Sequence, residues 1–200
     1  MNGKFFDLKK EKQDRMINAA LKVFAKNGYR HASTDDMVRE AAISKGLLFH
    51  YFGSKLGLYT FVYDYSVRYM TLELGTVVDP KETDLFELMK QTAGAKLHAM
   101  RGYPYMQQFL NRSMQEDMNE ALLAIAEKRN MLNETYDNIY KQADSAKLPK
   151  GADMGMLRKM LELTADGLMT ERFYDASFQP EMLYEEIVSY LDMMKKIVER

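Results

Sequence analysis

Residues 47–52 read Leu-Leu-Phe-His-Tyr-Phe, with Ser44-Lys45-Gly46 before them and Gly53-Ser54-Lys55 after. Hydroxyls, an imidazole, a phenol and two cations within a dozen residues are suited to holding phosphate and to touching base edges. On a helix, Leu48 and Phe52 fall four apart and share a core face with Ile43 and Phe24. Leu47, His50 and Tyr51 then face outward. Rings on an ordinary surface are a liability, but against a DNA duplex they have uses. His50 and the Tyr51 hydroxyl can bond phosphate, Leu47 can touch a thymine methyl, and Lys45 can reach a guanine edge or a phosphate. Gly46 lets the helix backbone lie close to the duplex. Ser54 and Lys55 place free amides and a cation at a helix N-terminus, which is an anion site. Ser33 and Thr34 do the same at an earlier helix start.

Three short helices must position these side chains. The first is expected over about Asp7–Lys26, where Met16, Ala19, Ala20, Val23 and Phe24 recur at helical spacing and Asn27-Gly28 is a stop signal. Ser33 caps the second, with Met37, Val38 and Ala41 as its apolar side. Ser44 caps the third, about Lys45–Tyr51, and Ser54 a fourth running to about Gly75. Two short helices joined by a turn of about three residues make a helix-turn-helix, and the second of the pair is the one that enters the major groove.

The stretch AALKVFAKNGYRHASTDDMVREAAISKGLLFHYFGSKLGLY resembles the N-terminal domain of the tetracycline-repressor (TetR) family of bacterial transcription regulators. The resemblance covers roughly residues 13–60. It implies DNA contacts at Thr34, Ser44, Lys45, Gly46, Leu47, His50, Tyr51 and Lys55. Two positions depart from the family pattern. Ala42 stands where the turn usually holds Gly, and Gly57 where an acidic residue commonly completes the cap of the fourth helix. If the backbone at residue 42 is left-handed, Ala there costs about 1 kcal/mol.

Beyond the head, Met, Leu, Ala, Glu and Lys dominate, no alternating β-branched run of useful length occurs, and the four prolines stand at 80, 104, 149 and 180. The chain is expected to be all-α, with about nine helices: a three-helix helix-turn-helix domain over 1–54 and a helical bundle over 55–200 for ligand binding and dimerisation. The roles of the bundle follow largely from the resemblance. Tyr63, Met70, Met89, Tyr105, Met106, Phe109, Tyr136 and Tyr140 are candidates for a pocket taking a small apolar or aromatic molecule, since Met adapts to irregular cavities and Tyr offers an apolar body with one polar end. His98 could anchor a polar group. The same residues also suit a well-filled core. Leu161, Ala165 and Leu168 on the eighth helix, with Ile187, Tyr190, Leu191 and Met194 on the ninth, form stripes that suit a homodimer interface or an intramolecular core.

Charge agrees with a nucleic-acid partner for the head alone. Residues 1–60 hold 11 Lys and Arg against 6 Asp and Glu, whereas residues 61–200 hold 17 against 23. There is no cysteine, no HExxH, no glycine-rich phosphate loop and no GxSxG. The three histidines are scattered. No catalytic residue, metal or cofactor is expected. No run of about 18 apolar residues and no apolar leader segment occurs, which fits a cytoplasmic protein with no membrane partner. The expected function is therefore a ligand-responsive transcriptional regulator that binds double-stranded DNA at a palindromic operator, most often as a repressor released by its effector. The alternative is a helical protein-interaction adaptor, or a regulator without a small-molecule effector.

Overall fold

The computed structural model describes residues 3–198 apart from 150, 174 and 176. Among these, nine α-helices follow a short 3-10 helix, Gly3–Asp7: α1 Lys10–His31, α2 Thr34–Ala41, α3 Lys45–Phe52, α4 Lys55–Val77, α5 Leu85–Gly102, α6 Met106–Ser113, α7 Asn119–Tyr140, α8 Met154–Arg172 and α9 Pro180–Val198. The protein is all-α, a helix-turn-helix followed by further helices.

Local chemistry explains most of the boundaries. The Ser33 hydroxyl accepts the Asp35 and Asp36 amides, Ser44 accepts that of Leu47, and Ser54 accepts that of Gly57. Asp84 and Asp153 cap α5 and α8 in the same way. α1 runs on to His31, five residues past its expected end, but its path is broken at Gly28, where φ is 67° and ψ 177°. The stop read from Asn27-Gly28 is therefore real, and a last turn follows it.

The chain forms two compact units. One holds the chain up to residue 69 together with 103–131, and the other holds 70–102 together with the chain from 132 onward. The division by role expected at residue 54 falls inside the first unit. In that unit α1 packs on α2 and α6, around Phe24, Tyr59 and Phe109. In the second, α9 packs on α5 and α8.

Of the two readings of the α8 and α9 stripes, the dimer interface fails for the three leucines, which are core, while Tyr190 stays exposed. Leu161, Leu168 and Leu191 are buried inside the second unit. Leu168 lies in a cluster with Met100, Met169 and Leu183, against which Ile187 also packs. Ala165 and Met194 are half-buried. Periodicity identifies an apolar stripe but not which neighbour covers it. The apolar residues exposed on this pair of helices are Met156, Met160 and Leu163 of α8 and Met182, Tyr190, Met193 and Ile197 of α9.

Candidate nucleic-acid interface

α2 ends in a Schellman turn. The Ala42 N–H donates to the Arg39 carbonyl at 3.3 Å and the Ile43 N–H to the Val38 carbonyl at 3.0 Å, with Ala42 left-handed at φ 52°, ψ 52°. This is the conformation the glycine of the family pattern would adopt freely, and it sets the angle at which α3 leaves α2. Ser44 then starts α3.

α3 is covered on two sides. Leu48 and Phe52 are buried, as their spacing implies, and Tyr51 is buried too. The outward position expected for Tyr51 is not the one observed. Its ring meets Phe5 edge-on, with centroids 5.7 Å apart, and Phe5 also contacts Phe52 and Phe61. The 3-10 helix at Gly3–Asp7, absent from the sequence reading, delivers that fully buried Phe5. This second cover explains why one short helix carries rings on several faces. Ser44, Lys45, Gly46 and His50 remain exposed, and Leu47 is half-exposed. Its own helix backbone and chain neighbours aside, nothing lies within 4 Å of where a Cβ on Gly46 would stand, so this position faces open space.

Lysines on either side of α3 have different surroundings. Lys45 pairs with Asp35 at 2.8 Å, and both side chains are at least half exposed. Such a pair contributes about 0–1 kcal/mol, so a phosphate can replace the carboxylate at little cost. Lys55 is committed. Its ammonium donates to the carbonyls of Tyr29, Arg30 and Ala32 at 2.9, 3.2 and 3.4 Å and sits 4.6 Å above the Tyr29 ring. It therefore closes the C-terminal end of α1 instead of reaching into solvent, contrary to the phosphate role read from sequence.

The helix starts also differ. Asp35 and Asp36 occupy the first turn of α2, so the amides near Ser33 and Thr34 already face negative charge. The first turn of α3 has no acid. Of the two, α3 offers the better anion site.

The candidate effector residues are divided between the two units. Tyr63, Met106 and Phe109 are buried in the first unit, with Tyr63 and Phe109 in edge contact. Tyr105, in the same unit, is half-buried beneath the ammonium groups of Lys22 and Lys26. Met70, Met89 and Tyr140 are buried in the second unit. There Tyr140 shares a 2.9 Å hydrogen bond with Thr92 and carries the Arg158 guanidinium on its face. Burial, and secondarily Asp166 and Glu162, raises the pKa of Tyr136 in that unit. His98 is exposed, with Nδ1 3.5 Å from a Glu73 carboxylate oxygen. Among the described residues no helix is long and apolar enough to cross a membrane.

Comparison with known proteins agrees with this geometry. Residues 16–60 match the family model of the bacterial regulatory proteins, tetR family. A 59-residue stretch is 41% identical to the uncharacterized HTH-type transcriptional regulator YuxN of Bacillus subtilis (strain 168), covering 28% of this chain but only 20% of that protein. Over 195 residues the chain is 24% identical to the fatty acid metabolism regulator protein of the same organism, covering 90% of this chain and 96% of the relative. A TetR family transcriptional regulator from Chloroflexus aurantiacus J-10-FL superposes with a TM-score of 0.69 at 20% identity, over 98% of this chain and 95% of the other. FadR from Bacillus subtilis, solved in complex with stearoyl-CoA, does so with a TM-score of 0.60 at 18% identity, over 88% and 96%. At these identities the two structures speak for the fold.

Proposed function

This chain belongs to the tetR family of bacterial regulatory proteins, and we propose that it is a homodimeric repressor that leaves its operator when a long-chain acyl ligand binds. One observation carries the DNA-binding part. The exposed surface of α3 is its N-terminal half plus His50, with Ser44, Lys45, Gly46 and Leu47 presented outward, while Leu48, Tyr51 and Phe52 fix the helix from behind. That is the arrangement a recognition helix needs, with its N-terminal residues toward base edges. Ser33 and Thr34 at the start of α2 fall beside a backbone strand in such a pose.

The dimer reading is supported by the exposed apolar residues of α8 and α9. Met156, Met160 and Leu163 recur at steps of four and three, so they form one stripe on α8, and Met182, Tyr190, Met193 and Ile197 accompany them on α9. A palindromic operator needs two heads placed about 34–36 Å apart. The effector class comes from relatives: one acts in fatty acid metabolism by name, and another was solved with stearoyl-CoA. The acyl chain of such a ligand is apolar, as the effector expected from the Tyr and Met content is, but its CoA part is large and carries several negative charges.

Fluorescence anisotropy with a random-sequence duplex tests the first part. Affinity should fall steeply between low and high salt, because phosphate contacts release counterions. Absent or salt-independent binding would favour the helical adaptor instead. Stearoyl-CoA should raise the melting temperature and weaken DNA binding, about 5–150-fold for a typical coupling.

A further inference from the structure

We propose that Glu116 fastens the helix-turn-helix to the α6–α7 junction, so that a displacement of α7 is felt at the start of α2. This inference rests on the DNA-binding reading above. Glu116 lies between the end of α6 at Ser113 and the start of α7 at Asn119. Its two carboxylate oxygens serve two different elements. Oε2 accepts the backbone N–H of Tyr29 at 2.8 Å. Oε1 accepts the N–H groups of Asp117 and Met118 at 3.2 and 3.1 Å, where the chain turns into α7. One side chain therefore joins the last turn of α1 to the two amides that lead into α7.

Tyr29 is tied to α7 a second time. Its hydroxyl donates to Glu120 Oε1 at 2.8 Å, and burial together with that carboxylate pushes its pKa up to about 12. Tyr29 follows Gly28, where the α1 path breaks, and only three residues separate it from the Ser33 cap of α2. Lys55, the first residue of α4, grips the carbonyls of Tyr29, Arg30 and Ala32. The segment leading into the helix-turn-helix is thus clamped between the start of α4 and the start of α7. All of these residues lie within the first compact unit. A contiguous set of hydrogen bonds of this kind can carry coupling when the elements it joins have two discrete arrangements.

Amide hydrogen exchange on the full chain, with and without a random-sequence duplex at low salt, tests this without any effector. In the wild type, duplex should slow exchange in α2–α3 and also at residues 122–124 of α7, whose amides are bonded within that helix. In Glu116→Ala, duplex should still slow α2–α3, while the slowing at 122–124 disappears. A merely local cap would deprotect Asp117 and Met118, which lose their acceptor in the variant, and leave the duplex-dependent difference at 122–124 intact. If Glu116→Ala keeps the DNA-dependent slowing at 122–124, or the wild type never shows it while α2–α3 responds, the proposal is overturned. If α2–α3 does not respond either, the DNA-binding reading fails and the proposal falls with it. Should Glu116→Ala not fold, Glu116→Gln keeps one acceptor oxygen and should reduce the slowing in place of abolishing it. Tyr29→Phe, which cuts only the Glu120 link, should also reduce it. Full retention in both variants overturns the proposal.

Discussion

The carbonyl oxygen of Phe52 occupies the space that a Cβ on Gly57 would need. The cause is the turn between α3 and α4. Gly53, at φ 74° and ψ −47°, lets the Ser54 N–H donate to the Phe52 carbonyl at 2.8 Å, a γ-turn that aims this oxygen at the first turn of α4. The acidic residue common at position 57 in the family could not stand here without moving that turn. Helix propensity alone says that Gly57→Ala should gain about 1 kcal/mol. The collision with backbone should outweigh it, and the melting temperature should fall. A rise on thermal denaturation would show that the turn yields easily.

Ala42 poses the opposite case. Its left-handed backbone is required by the Schellman turn, its side chain is exposed, and a Cβ there is strained. Ala42→Gly should therefore stabilise the protein, by less than the full strain of about 1 kcal/mol because Gly brings extra freedom to the unfolded chain. For a chain of this size that is a rise of at most about 2–4 °C in melting temperature. A lower midpoint in urea or heat would mean that the turn relaxes without cost.

How much of this was legible in the sequence depends on how far a residue's partner lies along the chain. The caps at Ser33, Ser44 and Ser54 act within three residues, so helix starts could be read directly. The break at Gly28 and the strain at Ala42 are equally local. Burial of Tyr51 could not be read, because its cover is Phe5, 46 positions earlier, in a segment with no helical period. Lys55 looked like a free cation because its three carbonyl partners stand 23 to 26 residues away. Leu191 looked like an interface residue because α5, which packs against α9, is distant in sequence. Glu116 carried no signal at all, since Tyr29 is 87 residues away. Where an acid stands before a helix and a tyrosine ends another, only contact information joins them.

Assembly offers a test that separates surface from core. Met160→Glu places a charge on the exposed stripe of α8, where the folded monomer has room for it. It should leave the helical content unchanged and shift sedimentation toward the monomer. Leu191→Glu puts the same charge into the second unit's interior, where an unpaired charge costs several kcal/mol, and should unfold that unit. If Met160→Glu sediments as an unchanged dimer, the α8 stripe is not the contact.

Acid should loosen the second unit at a specific place. Asp84 caps α5 through Oδ1 and accepts the Lys195 ammonium of α9 through Oδ2 at 2.8 Å. Burial pushes its pKa up, but the bonds from Lys195 and from the Phe86 and Glu87 amides outweigh this and hold it below the ordinary carboxylate range. A depressed pKa means that the contribution is fully present above the unfolded value, near 3.9, and is lost as pH falls through the lower folded value. Asp84→Asn keeps a capping oxygen but gives Lys195 no charge. It should lower the urea midpoint near neutral pH and flatten its decline in acid. Parallel acid limbs for mutant and wild type would remove Asp84 from the account.

The two lysines that flank α3 should behave differently on DNA. Lys45 has one exposed carboxylate partner and stands at the N-terminus of α3, where no acid shares the first turn. Replacing Lys45 by Ala should weaken binding to a duplex and reduce the log–log salt slope by about one per head, with little loss of stability. Lys55 is held by three backbone carbonyls and an aromatic face. Lys55→Met keeps the apolar stem but leaves those carbonyls with fewer donors, so it should lower the melting temperature while the salt slope stays near wild type. Anisotropy titrations over a salt series, run beside thermal melts, distinguish the two roles. A full unit lost from the slope in Lys55→Met, with unchanged melting, would return that lysine to the phosphate and mean that its ammonium leaves the end of α1 when DNA is bound.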